Sequence, residues 1–135
     1  VPTGNPAAIT GLDDSLTGKK LVVCASGVPC GSATVKLAET LDVVLEPVSQ
    51  ETKVTDVRTK VESGQADAGI VYVTDAKAAG DKVESIPIQG ADKARNDYLV
   101  GITAETKQAA LAGEFIALVK GTRGQAVLKA AGFGA

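Results

Sequence analysis

The chain of 135 residues contains no histidine, no methionine and no tryptophan. Without histidine, catalysis by Ser-His or Cys-His pairs is excluded, and so is any histidine-ligated metal. The four aromatic residues, two Tyr and two Phe, are too few for a base-stacking or sugar-stacking surface. No apolar run reaches the roughly 18 residues that a membrane-spanning helix needs.

The sequence also lacks an excess of charge of one sign. Its 14 basic and 16 acidic residues give a net charge of −2 without like-charge runs, so no nucleic acid is expected as a partner. The length fits one small domain or part of a larger protein. No initiator Met and no secretory leader precede Val1, so we expect a processed chain or a fragment of a longer one.

Short β-branched runs alternate with helical patterns, which predicts an α/β fold: a mostly parallel βαβ sheet with helices on both faces. Strands are predicted at residues 21–24, 43–45, 68–72, 83–88 and 98–102. Helices are predicted from Pro29, from about Lys53 to Gly64 and at 74–79, after one helical turn near residues 12–16. Two further helices are predicted in the C-terminal part, with apolar stripes that include Leu111, Phe115, Leu118 and Val127.

In open α/β sheets, ligands bind where the carboxyl ends of strands meet helix N-termini. At the first such junction, Pro29 in the first helical position leaves the amides of Cys30 and Gly31 without intrahelical partners. Gly31 also has no side chain to obstruct a ligand. The junction therefore predicts an anion site, and a helix start hydrated by water is the alternative.

Two further junctions carry candidate donors. If Thr52 caps the second helix, the Val54 amide is free and Lys53 lies beside it, where a cation opposes the helix dipole unless an anion binds. A solvated surface lysine is the alternative. Tyr72 ends a predicted strand, where it either belongs to the core or directs its hydroxyl into the same crevice. The Cys30 amide, the Val54 amide and the Tyr72 hydroxyl are predicted to converge.

The two cysteines, Cys24 and Cys30, allow several interpretations. A thiol-phosphatase loop would need an arginine where Cys30 stands, and the spacing is too wide for a Cys-x-x-Cys redox motif. Two cysteines without histidine make a poor metal site. A disulfide and two free buried thiols both remain open, and the disulfide would require an extracytoplasmic setting. An enzyme that uses either thiol as its nucleophile is a further alternative.

Four groups of residues carry a family resemblance. They are the V-P-C-G sequence at 28–31, Val54 ahead of the D-V-R sequence at 56–58, the string E-S-G-Q-A-D-A-G-I-V-Y-V-T-D-A at 62–76, and the A-G-F sequence at 131–133. Through them, nearly the whole chain resembles the periplasmic molybdate-binding proteins of ABC importers, which have the type II periplasmic-binding-protein fold.

The resemblance implies an extracytoplasmic solute-binding protein that takes up molybdate or tungstate. Its partners would be ABC-importer membrane subunits, and it would have no cofactor, no resident metal and no enzymatic activity. The family's donors map onto the Cys30 amide, the Val54 amide and the Tyr72 hydroxyl, with Gly31 and Lys53 as secondary candidates. The same fold binding another small anion, such as sulfate, phosphate or an organic acid, is the alternative.

The resemblance also implies a division of the chain. Residues 1–6 would form the first hinge crossover, 7–90 the second lobe of a two-lobe protein, and 91–135 the return crossover and C-terminal helices. No segment matches the first lobe, which supplies two serine-bearing junctions in the family. Without it, the apolar stripe of the C-terminal helices is expected to fold back on this domain or to pair between chains.

Three departures qualify the resemblance. Cys30 replaces the alanine usual in the family, which is harmless if only the amide binds. Cys24 stands where an aspartate is common. The sequence Asp97-Tyr98-Leu99 lacks the usual Tyr-Pro, so the position of the hinge within residues 88–98 is not fixed by the sequence.

Overall fold

The computed structural model describes residues 1–134, in which strands and helices alternate from residue 21 to residue 79. This order is the one predicted from the sequence, and the α/β class is confirmed. Within the described residues there are three strands and five α-helices: β1 (Leu21–Cys24), β2 (Ser49–Glu51), β3 (Ala68–Gly69), α1 (Pro29–Leu41), α2 (Val54–Glu62), α3 (Val73–Ala79), α4 (Ala109–Lys120) and α5 (Thr122–Ala131).

The strands form one parallel sheet in the order β2-β1-β3. All four residues of the central strand β1 are buried, as its uninterrupted apolar sequence predicts for a strand covered on both faces. Val22 and Cys24 belong to one apolar cluster, and Leu21 and Val23 belong to another. The alternation of side chains along β1 therefore divides the core into two layers.

Helix α2 covers the first of these layers. Its residues Val57 and Val61 are buried, and Val57 is fully inaccessible to solvent. A Cβ atom on Gly69 of β3 would lie 2.8 Å from a methyl carbon of Val57 and 2.9 Å from one of Val61. Only a glycine at this position lets α2 approach the strand so closely.

The prediction of a strand at residues 43–45 was wrong. Asp42 caps the end of α1 in a left-handed conformation with φ 53°, and the Val43 amide then donates to the helix carbonyl of Ala38. Val44 is 90% exposed. The polar segment Ser49–Glu51 pairs with β1 instead. Strand propensity alone does not decide which segment pairs, because a strand also needs a partner strand and a core surface within reach.

The predictions of strands at residues 83–88 and 98–102 were also wrong. In the first segment, Val83 makes only an isolated antiparallel bridge with Pro2. The Glu84 amide donates to the carbonyl of Val1 next to it. In the second segment Leu99 is 96% exposed. Both segments have strand-like composition, but neither finds a neighbouring ladder within residues 1–134.

The chain divides into two compact units, Val1–Asn96 and the residues from Asp97 onward. The first unit contains the sheet and helices α1 to α3. In the second, α4 and α5 confirm the two helices predicted there, and the rings of Tyr98 and Phe133 meet edge to face with centroids 5.5 Å apart. Residue 135, the last of the predicted 91–135 segment, lies outside the described residues.

No helix within residues 1–134 combines the length and the hydropathy required to cross a membrane.

Candidate functional site

Three helices begin at the same edge of the sheet. Because the strands are parallel, their carboxyl ends meet there, and α1, α2 and α3 follow β1, β2 and β3 in turn. The Ala25 amide donates to the carbonyl of Glu51 at 2.8 Å and ties the ends of β1 and β2 together. Helix N-termini carry unsatisfied N–H groups and a positive dipole end, so this edge of the sheet is suited to an anion.

At the start of α1, two backbone amides have no acceptor among the described residues. The helix begins at Pro29, and Cys30 and Gly31 occupy its second and third positions, as predicted. Val28 precedes the helix without a side-chain cap, and the first closed helical hydrogen bond runs from the Ser32 amide to the Val28 carbonyl at 2.9 Å. The amides of Cys30 and Gly31 therefore remain candidate donors to a ligand.

Gly31 has a structural role that was not predicted from the sequence. A Cβ atom at this position would lie 1.8 Å from the carbonyl oxygen of Ala25 and 2.9 Å from that of Cys24. The backbone that leaves β1 therefore passes directly against the start of α1. The loop between β1 and α1 therefore requires a glycine at this position, whether or not a ligand binds beside it.

Cys24 and Cys30 are joined by a disulfide, with their Cα atoms 5.7 Å apart. Both residues are buried in the cluster that contains Val22 and Val57. The bond connects the last residue of β1 to the second residue of α1, so it restrains the peptide that carries the Cys30 amide. Neither sulfur is a free thiol in this state, which leaves no cysteine nucleophile in the part of the chain that the structure describes.

At the start of α2, the cap is Lys53 rather than Thr52, so that part of the prediction was wrong. Lys53 is extended and exposed, its side chain makes no capping hydrogen bond, and Val54 becomes the first helical residue instead of the second. The amides of Val54 and Thr55 have no acceptor within residues 1–134. A cap without a side-chain acceptor leaves these donors unsatisfied.

The charge of Glu51, the residue at the end of β2 shortly before this junction, is compensated locally. The carboxylate of Glu51 accepts hydrogen bonds from the Lys60 ammonium and the Ser49 hydroxyl, and Lys60 also donates to Ser49 at 2.9 Å. The hydrogen bond from Lys60, followed by that from Ser49, lowers the pKa of Glu51 below its ordinary value. Glu51 is therefore ionised at neutral pH, with its charge paired to a residue of α2.

Tyr72 is the residue that precedes α3, not the end of a strand. The ladder stops at Gly69, although the Ile70 amide still reaches the Val22 carbonyl at 3.3 Å, and Tyr72 itself is extended, with φ −73° and ψ 155°. Its side chain is half-buried against the cluster that contains Cys30. The prediction of its place at the carboxyl edge was correct, while the predicted strand was too long.

The three predicted donor residues share one environment. Cys30 is a buried member of the apolar cluster on which Val54 and Tyr72 both pack. The side-chain nitrogen of Asn96 lies 2.6 Å from the Tyr72 hydroxyl oxygen and 3.5 Å from the Pro29 carbonyl oxygen. Sequence reasoning missed Asn96, because an exposed asparagine in an irregular segment belongs to no recognisable pattern.

The chemistry of this edge is that of a donor site. Its candidate groups are backbone amides and one hydroxyl. The ion pairs found among the described residues join side chains within the first unit, as in Arg58 with Glu62 at 2.9 Å. Within residues 1–134 no group of three or more Cys, Asp or Glu side chains could hold a metal ion. Backbone amides and a hydroxyl are groups that can donate hydrogen bonds to an anion.

The sequence matches the family described as bacterial extracellular solute-binding protein over residues 1–134. The chain belongs to this family, and the resemblance recognised in its motifs is confirmed. It is 42% identical over 131 residues to the molybdate-binding protein ModA of Mycobacterium bovis and to that of Mycobacterium tuberculosis. The match covers 96% of this chain and 50% of either relative, so the chain spans about half the length of the curated relatives it matches. No solved structure matches it.

Proposed function

We propose that this chain is part of an extracytoplasmic solute-binding protein that captures molybdate, and tungstate, for an ABC importer. Membership of the solute-binding family and the 42% identity to ModA support this function. The observation that carries it is the group of unsatisfied amides at the starts of α1 and α2, at the edge where Tyr72 also lies. The protein is not an enzyme, and the oxyanion is its cargo rather than a cofactor.

In this proposal the oxyanion accepts hydrogen bonds from the Cys30 amide, the Val54 amide and the Tyr72 hydroxyl, with Gly31 and Lys53 beside them. A site made only of donors favours a fully deprotonated tetrahedral dianion. Phosphate carries a proton at neutral pH and would need an acceptor. Sulfate has the right charge but is smaller, so donors placed for molybdate would hold it with longer hydrogen bonds.

The chain would supply one side of a two-lobe site. Residues 1–6 would be the first crossover, 7–90 the second lobe, and 91–135 the return crossover with C-terminal helices that pack on the first lobe. Closure of two lobes around the anion would create the surface that the importer's membrane subunits recognise. The protein would act in the periplasm or at the cell surface, where the Cys24–Cys30 disulfide is stable.

Calorimetric titration of this chain with molybdate, tungstate, sulfate and phosphate tests the proposal. We expect similar affinities for molybdate and tungstate and at least about tenfold weaker binding of sulfate. Tyr72→Phe should weaken molybdate binding about tenfold or more, because a hydrogen bond to a charged ligand is lost. Tyr98→Phe is the matched control, since this tyrosine lies in the second unit and is 72% exposed.

Two further results of this titration would be informative, and the first of them would contradict the proposal. Sulfate or phosphate binding as tightly as molybdate would favour the alternative, in which the same fold serves another small anion. No heat from any of the four anions would mean that donors of the other lobe are required for binding, and the same titration of the two-lobe protein would then decide the function.

We also propose that the chain associates with a second copy through α4 and α5. Leu111, Phe115, Leu118 and Val127 stay between 58% and 64% exposed, which leaves a large apolar surface uncovered. The double variant Phe115→Asp, Leu118→Asp should shift the sedimentation coefficient from that of a dimer to that of a monomer. Val44→Asp, at an exposed valine of the first unit, should leave the dimer intact. A strictly monomeric parent chain would refute this proposal.

A further inference from the structure

A cluster of three polar side chains joins β2 to α2. The Glu51 carboxylate accepts hydrogen bonds from the Lys60 ammonium and the Ser49 hydroxyl, and Lys60 also donates to Ser49 at 2.9 Å. The side chains of Glu51 and Lys60 are 16% and 32% exposed, so water reaches this ion pair only in part. None of the three side chains is a donor of the proposed anion site.

Glu51 lies between the two helix starts that carry the proposed amide donors. It ends β2 in register with Cys24, the last residue of β1, and its carbonyl accepts from the Ala25 amide. Two residues later Lys53 caps α2, whose first residue is Val54. Residues in register on neighbouring strands direct their side chains to the same face of a sheet. The Glu51 side chain therefore lies on the face that α2 covers, next to the disulfide-linked Cys24.

An uncompensated negative charge on Glu51 would oppose the binding of an anion at this edge. Its repulsion of a dianion is twice its repulsion of a monoanion at the same distance. Because Glu51 is only partly exposed, water and salt would screen this charge incompletely. Asp56, in the first turn of α2, is exposed, so its charge is screened far more.

The cation that compensates Glu51 comes from the other end of α2. Lys60 lies in the last turn of the helix, and helical side chains lean toward the N-terminus of their helix. Its ammonium thereby reaches the end of β2, where Ser49 accepts from it and donates to Glu51. The hydrogen bond from Lys60, ahead of that from Ser49, lowers the pKa of Glu51, so the pair stays charged on both sides at neutral pH.

We propose that Lys60 is a positioning residue of the anion site: by holding its charge against Glu51, it removes a repulsion that a dianion at the helix starts would otherwise meet. Lys60 acts through Glu51 and does not touch the ligand. This inference rests on the proposed function, and it adds a determinant of affinity that is set by charge rather than by a hydrogen bond to the anion.

Three variants of the ion pair test the inference, because the charge argument gives their effects on molybdate affinity different signs. Lys60→Met leaves Glu51 without its cation and should weaken binding about threefold or more. Glu51→Gln leaves the positive charge of Lys60 and should strengthen binding about twofold or more. The double variant Glu51→Gln, Lys60→Met has neither charge and should bind within about twofold of the parent. Both single effects should shrink when NaCl is raised from about 20 mM to about 500 mM.

Two matched variants serve as controls. Ser49→Ala removes a member of the cluster without changing its charge and should alter affinity by less than about twofold. Lys82→Met removes the same charge from an exposed lysine, whose ammonium lies 3.8 Å from the Glu62 carboxylate, and should also alter affinity by less than about twofold.

Carboxyl carbon nuclear magnetic resonance gives a readout without ligand. Lys60→Met should raise the pKa of Glu51 toward its ordinary value, since the first cause of its lowering is removed. An unchanged pKa would show that the pair does not form in solution and would overturn the inference.

The affinity measurements use this chain, or the two-lobe protein if this chain alone gives no heat. Weaker binding by all three variants of the pair would mean that the cluster acts through packing, and unchanged binding by the single variants would mean that the charges have no effect. Either result would overturn the inference and leave the proposed function standing. Failure of the two-lobe parent to bind molybdate would overturn both.

Discussion

Replacing Gly31 with alanine is expected to lower the free energy of unfolding by about 3 kcal/mol or more and to abolish measurable anion binding. The new Cβ would lie 1.8 Å from the Ala25 carbonyl oxygen and 2.4 Å from its carbonyl carbon. Backbone atoms cannot rotate away as a side chain can. The disulfide between Cys24 and Cys30 also limits how far the loop can move away from the helix.

The same loop offers a matched control. Gly27 has no atom within 4 Å of an added Cβ and does not have a positive φ. Gly27→Ala should therefore be neutral or stabilise the chain by up to about 1 kcal/mol, since alanine reduces the freedom of the unfolded state. Urea denaturation followed by circular dichroism measures both variants. Equal stability of the two alanine variants would show that the loop does not pack against Gly31 as described.

Reduction of the Cys24–Cys30 disulfide is expected to lower the free energy of unfolding by about 2 kcal/mol, as the chain-entropy relation gives for a loop this short. It should also weaken molybdate binding, because the peptide before Cys30 would no longer be fixed to the end of β1. The measurement is urea denaturation of the oxidised and reduced chain, with a molybdate titration of each.

The double variant Cys24→Ala, Cys30→Ala separates this effect from any other action of the reductant. It should unfold at a similar denaturant concentration with or without reductant, and it should lose somewhat more stability than the reduced chain because buried sulfur atoms are also removed. A reduced chain as stable as the oxidised one would mean that the bond does not restrain the unfolded state appreciably.

The sequence predicted best those elements whose local pattern and packing agree. The uninterrupted apolar run of β1 is unambiguous, and Pro29 marks the start of α1 because proline is suited to the first helical position. The helix N-termini, and with them the candidate donors, follow from the parallel order of the strands. The greater part of the candidate site could thus be located from helix starts and turn residues alone.

The errors arose where the pattern was ambiguous. Residues 43–45 have higher strand propensity than Ser49–Glu51, yet the second segment is the one that reaches β1. Strand propensity does not indicate which of the segments after α1 lies next to the edge of the sheet. The contacts of Asn96 were equally hidden, since they depend on where an irregular segment passes in space.

The contact between the beginning of the first unit and its far end has a consequence for the order of folding. Val1 and Glu84 are 83 residues apart, so closing this contact early would cost somewhat more chain entropy than closing the loops within the sheet. The pairings of β1 with β2 and β3 close shorter loops and bury the core. Residues 21–79 can therefore form a core before the Pro2–Val83 bridge pairs, so we expect the first residues of the unit to join a sheet that is already in place.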